Sequence, residues 1–278
     1  ESYGTFSNLA TGNIEISRTT SFPAMYLDNS TFNNLGTISL GEVASVNGGI
    51  SIEPSSIIFN SGTIIFKDIN ASGFGISGYM VNDVNGIIES TVGNELSTNA
   101  TGLGINIVSN GDMIINGTFV NNANVNIILN GTLSGTGTFV DNGNFEFNTT
   151  LNGSEVKPGA SPGTLTFTGD LDLATTTYTA EINGTTAGTD YDVFAISGNA
   201  DLSNADLIID WGGFIPTIGQ TFEVLTYSSR NDVGGNPTTF NSVTIPPVSG
   251  LPVSVNYTAT GVVIQVGAIL PVELTKFE

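Results

Sequence analysis

The chain has 278 residues, a formal charge of −20, only 5 Lys and Arg residues, and neither His nor Cys. This composition excludes His- and Cys-based nucleophiles, disulfides, zinc knuckles and iron–sulfur clusters, and so strong a negative charge repels nucleic acid. No apolar run approaches the roughly 18 residues that a membrane span requires. Gly, Asn, Thr and aliphatic residues dominate, so the composition predicts strands and turns.

A loose repeat begins the chain. The segments Gly12–Ile16, Gly36–Leu40 and Gly62–Phe66 each read Gly-x-Ile-x-apolar, and their starts are 24 and 26 residues apart. Alternation of apolar residues within each segment predicts a strand with one face turned inward. Asn and Gly between the segments predict corners, because both residue types tolerate left-handed backbone conformations.

A stricter repeat follows. Gly117–Ile127 and Gly137–Phe147 align without a gap at an offset of 20 residues, and Ile105–Ile107 fits one period earlier. This period is too short for propeller blades, which need about 40 residues, and the leucine-rich pattern is missing. We therefore predict an all-β fold, a parallel β-solenoid whose coils stack at about 4.8 Å. Antiparallel hairpins in β-sandwich modules are the alternative.

Aromatic residues recur with the repeat. Phe6, Phe32, Phe119 and Phe139 each follow Thr, and we expect them to occupy equivalent positions in an internal stack. Trp211, the only Trp, either caps the core or forms an exposed platform for a sugar ring, and its place at the end of an apolar segment favours the cap.

Composition divides the chain near residue 153, since 24 of the 31 Asn residues lie at or before Asn152. We predict Asn/Gly-rich solenoid repeats over 1–152 and a terminal solenoid segment with a loop-rich C-terminal cap over 153–267. The Gly- and Pro-rich interval 231–252 forms the predicted loop of that cap. Residues 268–278 are predicted to be a linker toward a further C-terminal domain.

Carboxylates are the remaining candidates for chemistry. The possible pairs are Asp170/Asp172, Asp190/Asp192 and Asp206/Asp210. Alternating Asp residues on a strand lie about 7 Å apart, which suits an inverting glycosidase. Leu171 and Leu173, however, make the first pair an ordinary strand with Asp outward and Leu inward. We therefore predict no catalytic residue, no cofactor site and no enzyme, with a polysaccharide lyase or hydrolase as the alternative.

Structural calcium is the one ion that the sequence suggests. Ca²⁺ prefers oxygen ligands, and the acidic chain attracts counterions. The predicted ligands are therefore Asp190, Asp192, Asp201 and Asp206. No EF-hand loop or Gly-Gly-x-Gly-x-Asp array accompanies them. Solvated carboxylates at turns are therefore the favoured interpretation of the same residues.

Residues 1–152 resemble the passenger repeats of autotransporter and haemagglutinin-type adhesins, which form right-handed parallel β-helices. The end segment of such passengers is similar to four stretches of this chain: Pro158–Phe167, Tyr191-Asp192, Gly198–Leu202 and Gly219–Leu225. The resemblance implies a right-handed β-helix, a structural part for these residues and no catalytic residue. The function expected from it is that of a cell-surface stalk, scaffold, adhesin or surface-layer component. A glycan-binding module is a further alternative.

The tail Leu270–Phe277 is similar to the segment that leads into the sorting domain of type IX secretion substrates in Bacteroidota. That resemblance implies contact with the type IX machinery during export and a final place outside the cell or on its outer surface. The expected partners are surface proteins or polysaccharides. Open strand edges at the two ends of a solenoid also predict end-to-end self-association.

Overall fold

A computed structural model describes residues 4–16, 25–41, 50–53, 55–67, 74–76, 79–83, 85–90, 95–99, 105–121, 125–141, 149–151, 153–159, 162–233, 236–248 and 250–267. Over these residues the protein is all-β, and its strands form three long sheets of 7, 10 and 11 strands. A three-stranded and a two-stranded sheet complete the fold.

The first sheet contains Gly4–Asn8, Ser30–Asn34, Ile57–Asn60, Tyr79–Asn82, Ile105–Ser109, Val125–Leu129 and Thr149–Leu151. The second contains Asn13–Ile16, Thr37–Leu40, Thr63–Phe66, Ile87–Ser90, Asp112–Ile115, Thr132–Gly135, Glu155–Pro158, Thr177–Glu181, Asp206–Asp210 and Ser242–Thr244. The third contains Met25–Leu27, Ile50–Ile52, Phe74–Ile76, Glu95–Asn99, Thr118–Asn121, Thr138–Asp141, Thr164–Thr168, Val193–Ile196, Thr221–Thr226, Gly261–Val266 and Val253–Tyr257. The three-stranded sheet joins Leu171–Asp172, Asn199–Asp201 and Ser229–Arg230, and the two-stranded sheet joins Asp232–Val233 and Asn236–Pro237.

The chain visits the three sheets in turn, and each strand pairs in parallel with the strand one coil later. Ile14 pairs with Ile38, and Thr118 pairs with Thr138 across the predicted 20-residue offset. The predicted parallel β-solenoid is therefore confirmed, and the alternative of antiparallel sandwich modules is wrong. The early Gly-x-Ile repeat enters the second sheet, whereas Gly117 and Gly137 precede strands of the third.

Stacked aromatic rings fill part of the core beneath the third sheet. The ring centroids of Phe119 and Phe139 lie 5.0 Å apart, and those of Phe139 and Phe167 lie 5.3 Å apart. The predicted stack of Phe119 and Phe139 is confirmed, but its extension to Phe6 and Phe32 is wrong. Those two residues pair in the first sheet, and the side chain of Phe6 is 57% exposed. A Thr-Phe pair occurs in strands of either sheet, so the dipeptide alone does not identify its place in the coil.

A ladder of buried Asn side chains follows the corner between the first and second sheets. Asn8 donates from Nδ2 to Oδ1 of Asn34 at 2.9 Å, Asn34 donates to Asn60 at 2.7 Å, and Asn60 donates to Asn82 at 2.7 Å. Ser109 ends this series by accepting from Asn82 at 3.0 Å. We call these five residues the Asn ladder.

Each Asn of the ladder also serves the backbone of the corner. The Nδ2 atom of Asn34 donates to the carbonyl of Thr63 at 3.2 Å, and that of Asn60 donates to the carbonyl of Ile87 at 3.1 Å. A buried carbonyl without a donor costs about 1–3 kcal/mol, so these bonds allow the chain to turn inside the core.

Glycine is required beside the ladder, because successive corners touch through their backbones. A Cβ on Gly62 would lie 2.1 Å from the carbonyl oxygen of Gly36, and one on Gly36 would lie 2.2 Å from that of Gly12. Real Cβ atoms do not approach backbone this closely. The recurrent Gly of the early repeat is thus explained by close stacking between coils.

The C-terminal end departs from the parallel pattern. Gly261–Val266 pairs antiparallel with Thr221–Thr226, and Val253–Tyr257 adds a further antiparallel strand at the end of the third sheet. The interval 231–252 was predicted to be a loop, but Ser242–Thr244 inside it extends the second sheet in parallel to Asp206–Asp210. Its polar Asn-Ser-Val-Thr sequence carries too weak an alternation to reveal that strand.

A cationic contact anchors this end. Arg230 lies 5.0 Å from the ring centre of Tyr257 and 5.9 Å from that of Tyr227, and its Nη1 donates to the carbonyl of Thr238 at 2.6 Å. The contact joins Thr238, inside the interval predicted to form the loop of the cap, to the strands on either side of that interval.

The predicted boundary near residue 153 does not interrupt the two longer sheets. Thr132–Gly135 pairs with Glu155–Pro158 in the second sheet, and Thr138–Asp141 pairs with Thr164–Thr168 in the third. Thr149–Leu151 is the last strand of the first sheet. The division into two segments stays a prediction from composition, and the predicted linker 268–278 lies outside the described residues.

We expect Asn34→Ala to lower the free energy of unfolding by about 3 kcal/mol, because it leaves Asn60 and the carbonyl of Thr63 without their donor. Asn33→Ala, one position away on the outer face, is the matched control and should cost less than about 0.5 kcal/mol. Urea unfolding followed by circular dichroism measures both. Equal losses would contradict a structural role for the ladder.

We expect Gly62→Ala to cost more than about 2 kcal/mol, because the new methyl group collides with the backbone of the preceding coil. Gly267→Ala is the control, since a Cβ there would meet its nearest atoms at an ordinary 3.8 Å. Thermal unfolding of the two variants makes the comparison, and a stable Gly62→Ala protein would refute close stacking at this corner.

Candidate functional site: an acidic groove

A cavity of about 230 Å³ lies where the second sheet passes the base of a loop at 183–190. We call it the acidic groove. It is lined by Lys157, Pro158, Gly159, Thr179, Glu181, Asp192 and Asp210.

Neighbouring strands of the second sheet supply most of the groove. Glu181 pairs directly with Asp210 on the adjacent strand. The backbones of adjacent strands lie about 4.8 Å apart along the solenoid. Lys157 comes from the strand before them, and its Nζ lies 2.7 Å from Oε1 of Glu155. That ion pair is largely exposed to water and contributes little to stability.

Asp192 is the buried carboxylate of the groove, with 3% of its surface exposed. Its Oδ1 accepts the backbone N–H of Gly163 at 2.8 Å, and its Oδ2 accepts that of Glu181 at 2.9 Å. The side chain thereby joins the base of the 183–190 loop to the preceding coil. Because both oxygens already accept amide hydrogens, the arrangement is that of a structural clamp.

The surroundings of Asp192 also disfavour its charge. Burial raises the pKa of Asp192 to about 6, although the hydrogen bonds from Glu181 and Gly163 oppose that rise. Burial, followed by the charge of Asp192, likewise raises the pKa of Tyr178, whose hydroxyl donates to the carbonyl of Val224 at 2.5 Å. The carboxyl group whose pKa burial raises is therefore held inside the clamp.

The predicted calcium ligands Asp190 and Asp201 bind donors of their own chain. Oδ2 of Asp190 accepts the N–H of Thr186 at 3.0 Å. Hydrogen bonding from the Thr186 side chain, followed by this backbone bond, lowers the pKa of Asp190. Asp201 accepts from Nδ2 of Asn231 and from the N–H of Ser203, both at 2.9 Å. Burial raises the pKa of Asp201, but these bonds outweigh it and hold the value below the ordinary range.

Asp206, the fourth predicted ligand, lies on the outer face of the second sheet. Ser242 donates to it at 2.6 Å and Asn241 at 3.0 Å, and these bonds lower its pKa. Within the ranges that the structure describes, no group of three or more acidic side chains is arranged to hold a metal ion. A calcium site at these four residues stays a prediction.

The Asp residues weighed as catalytic candidates accept hydrogen bonds from backbone N–H groups. Asp170 accepts the N–H of Asn199 at 2.7 Å, and Asp172 accepts that of Ala174 at 2.8 Å. Leu171 between them is buried, which confirms the pattern of Asp outward and Leu inward. Asp210 accepts the N–H of Gly212 at 3.0 Å.

A second cavity, of about 310 Å³, begins at Asp210 and continues past Trp211 to Val248. Trp211 is 6% exposed, packs edge-on against Phe222 at 5.9 Å, and donates from Nε1 to the carbonyl of Pro246 at 3.1 Å. The interpretation of Trp211 as a cap of the core is confirmed, and its ring offers no exposed platform for a sugar.

Sequence reasoning named Asp192 and Asp210 but paired them with other Asp residues. It missed Lys157 and Glu181, since single charged residues on separate strands carry no local motif. Aligning the two strands could have paired Glu181 with Asp210. Each residue is the last of a five-residue strand in which outward-facing and buried side chains alternate.

Because the pKa of Asp192 is raised in the folded protein, we expect the chain to bind a proton at Asp192 when it folds. The free energy of unfolding should then fall by roughly 2–3 kcal/mol as the pH rises from about 4 to about 6, because the folded protein must ionise a buried acid. Asp192→Asn removes this component of the pH dependence. Urea unfolding across that range measures the slope.

Asp206→Asn serves as the contrasting control, since the lowered pKa of Asp206 stabilises the fold above the ordinary carboxyl range and that stability is lost as the pH falls. Its effect should appear below about pH 4 and leave the higher range unchanged. A slope between pH 4 and 6 that survives in Asp192→Asn would refute the assignment.

The described part of the chain contains no helix long and apolar enough to cross a membrane. No protein-family model matches the sequence, and no curated protein is similar enough to be counted as a relative.

Proposed function

We propose that this protein is a secreted structural element of the outer cell surface, which acts as the stalk or scaffold of an adhesin or surface layer. The observation that carries the proposal is the stacking of interior side chains from one coil to the next. The Asn ladder and the Phe stack run from coil to coil. These contacts hold neighbouring coils together and so keep the solenoid extended.

The chemistry of the acidic groove supports the same function. Its one buried carboxylate accepts two backbone amides, and Asp210 accepts a third. A general acid or nucleophile needs an oxygen free to meet substrate. These contacts therefore favour a structural role for the carboxylates of the groove over a catalytic one.

The resemblances of residues 1–152 and roughly 155–230 to adhesin passengers, and of the tail to the lead-in of a sorting domain, support export and surface display. The strong negative charge of the chain is in keeping with a hydrated surface coat. A surface protein or polysaccharide is the proposed partner class.

A polysaccharide-acting enzyme is the second candidate, favoured by one observation. Burial holds the pKa of Asp192 at about 6, inside a cavity that also contains Lys157 and Glu181. Groups with such pKa values occur at active sites as well as in structural clamps.

Changing the number of coils separates the two functions. Residues 118–137 form one complete coil of three strands, and duplicating them should add about 4.8 Å to a correctly folded rod. In the producing cell, a stalk or scaffold should retain surface display with the added coil and lose adhesion or layer integrity when 118–137 are deleted. Surface labelling and adhesion assays on intact cells measure these effects.

A flexible Gly-Ser insertion of the same length is the matched control for the duplication, and it should break the stacking and reduce display. Asp210→Asn tests the groove and should leave display and adhesion unchanged. Turnover on a panel of neutral and acidic polysaccharides, abolished by Asp210→Asn or Asp192→Asn, would overturn the structural proposal. So would a protein found only inside the cell.

A further inference from the structure

The first sheet differs from the rest of the molecule in charge. Its seven strands contain no Asp, Glu, Lys or Arg, although the whole chain has a charge of −20. The second sheet, by contrast, carries charged residues on its outer face, among them Glu89, Lys157 and Asp206. The seven strands of the first sheet are therefore neutral.

The outer face of this neutral sheet has an apolar row. Phe59 pairs with Val81, Val81 with Val108, and Val108 with Ile128, so the four side chains stack on consecutive strands. Each alternates with buried neighbours and thus points outward. Phe59 is 41% exposed, and the other three are half-buried. We call these four residues the outer apolar row.

We propose that the outer apolar row is an interaction surface for a second copy of this chain, with two solenoids packed side by side through their first sheets. A two-fold axis would place the row of one copy against the row of the other, so that apolar atoms meet apolar atoms. The contact is lateral, and it is distinct from association through the ends of the rod.

The distribution of charge favours the first sheet over the other faces for contact between two copies. Two copies that each carry −20 repel one another wherever acidic faces meet, whereas the first sheets can approach without bringing charged strands together. The remaining repulsion comes from the other faces and is screened by salt, because the Debye length shortens from about 10 Å at 0.1 M to about 3 Å at 1 M.

The size of the face sets the strength of the contact. Seven strands at about 4.8 Å spacing and about 16 Å length give roughly 540 Å² per copy, below the roughly 800 Å² typical of a stable interface. The dimer is therefore weak in dilute solution. On the proposed function, copies lie side by side in a surface layer or a field of stalks, and the dimer forms at the high local concentration that this arrangement gives.

Sedimentation velocity of the full chain, over concentrations up to about 1 mM, tests the proposal at low and at high salt. The expected result is a monomer–dimer equilibrium that shifts toward dimer as salt rises. Val108→Asp places a charge at the centre of the row and should weaken association by at least about tenfold. Val108→Thr keeps the branched shape and should weaken it by a smaller factor.

Ile65→Asp is the matched control, because Ile65 is a half-buried outward residue in the same coil as Phe59 but belongs to the second sheet. It should leave association unchanged. Circular dichroism and melting temperature verify that each variant is folded, and Phe59→Asp replaces Val108→Asp if that variant unfolds.

Three results would overturn the proposal. The first is a wild-type protein that stays monomeric at the highest concentration and salt. The second is association that persists in Val108→Asp, which would place the contact at the ends of the rod. The third is equal weakening by Ile65→Asp. Binding of a neutral polysaccharide to wild-type monomer, lost in Val108→Asp without any dimer, would assign the face to a different partner.

Discussion

The fold depends on satisfying the backbone at the corner between the first and second sheets. A solenoid must turn its chain inside the core at every coil, and each turn buries carbonyl groups that have lost their water. Asn34, Asn60 and their equivalents donate to those carbonyls and to one another. Because each amide needs a partner in the next coil, local structure and stacking are established together. The same corners also require glycine, because a Cβ there would collide with the backbone of the preceding coil.

Repetition is what made the fold predictable from the sequence. Gly12, Gly36 and Gly62 recur because the same close contact recurs, and the 20-residue offset reappears as the pairing of Thr118 with Thr138. Places without repetition were not predictable. Phe6 shares its dipeptide with Phe119 but lies in another sheet, and the strand at Ser242–Thr244 has no earlier counterpart in the sequence from which to infer it.

The candidate site was less predictable than the fold, for a physical reason. Asp192 acts on Gly163, a full coil earlier in the chain, and Glu181 meets Asp210 a full coil later. Side chains that meet across coils leave no short motif, since their separation in sequence varies with the loops between them. The partners of a carboxylate in a solenoid become apparent only when the register of neighbouring coils is known, and that register is a property of the whole chain.

The change in composition along the Asn ladder bears on how the chain avoids misfolding. A perfectly uniform stack would allow a coil to slip by one period and still recover every contact. Here the series passes from Asn82 to Ser109 and then to Leu129 and Leu151 in the same register. A slipped coil would bury an Asn amide against a leucine with nothing to accept its hydrogens. The irregular end of the ladder therefore supplies an energetic penalty against mispaired coils and selects one native alignment from several that backbone pairing alone would permit.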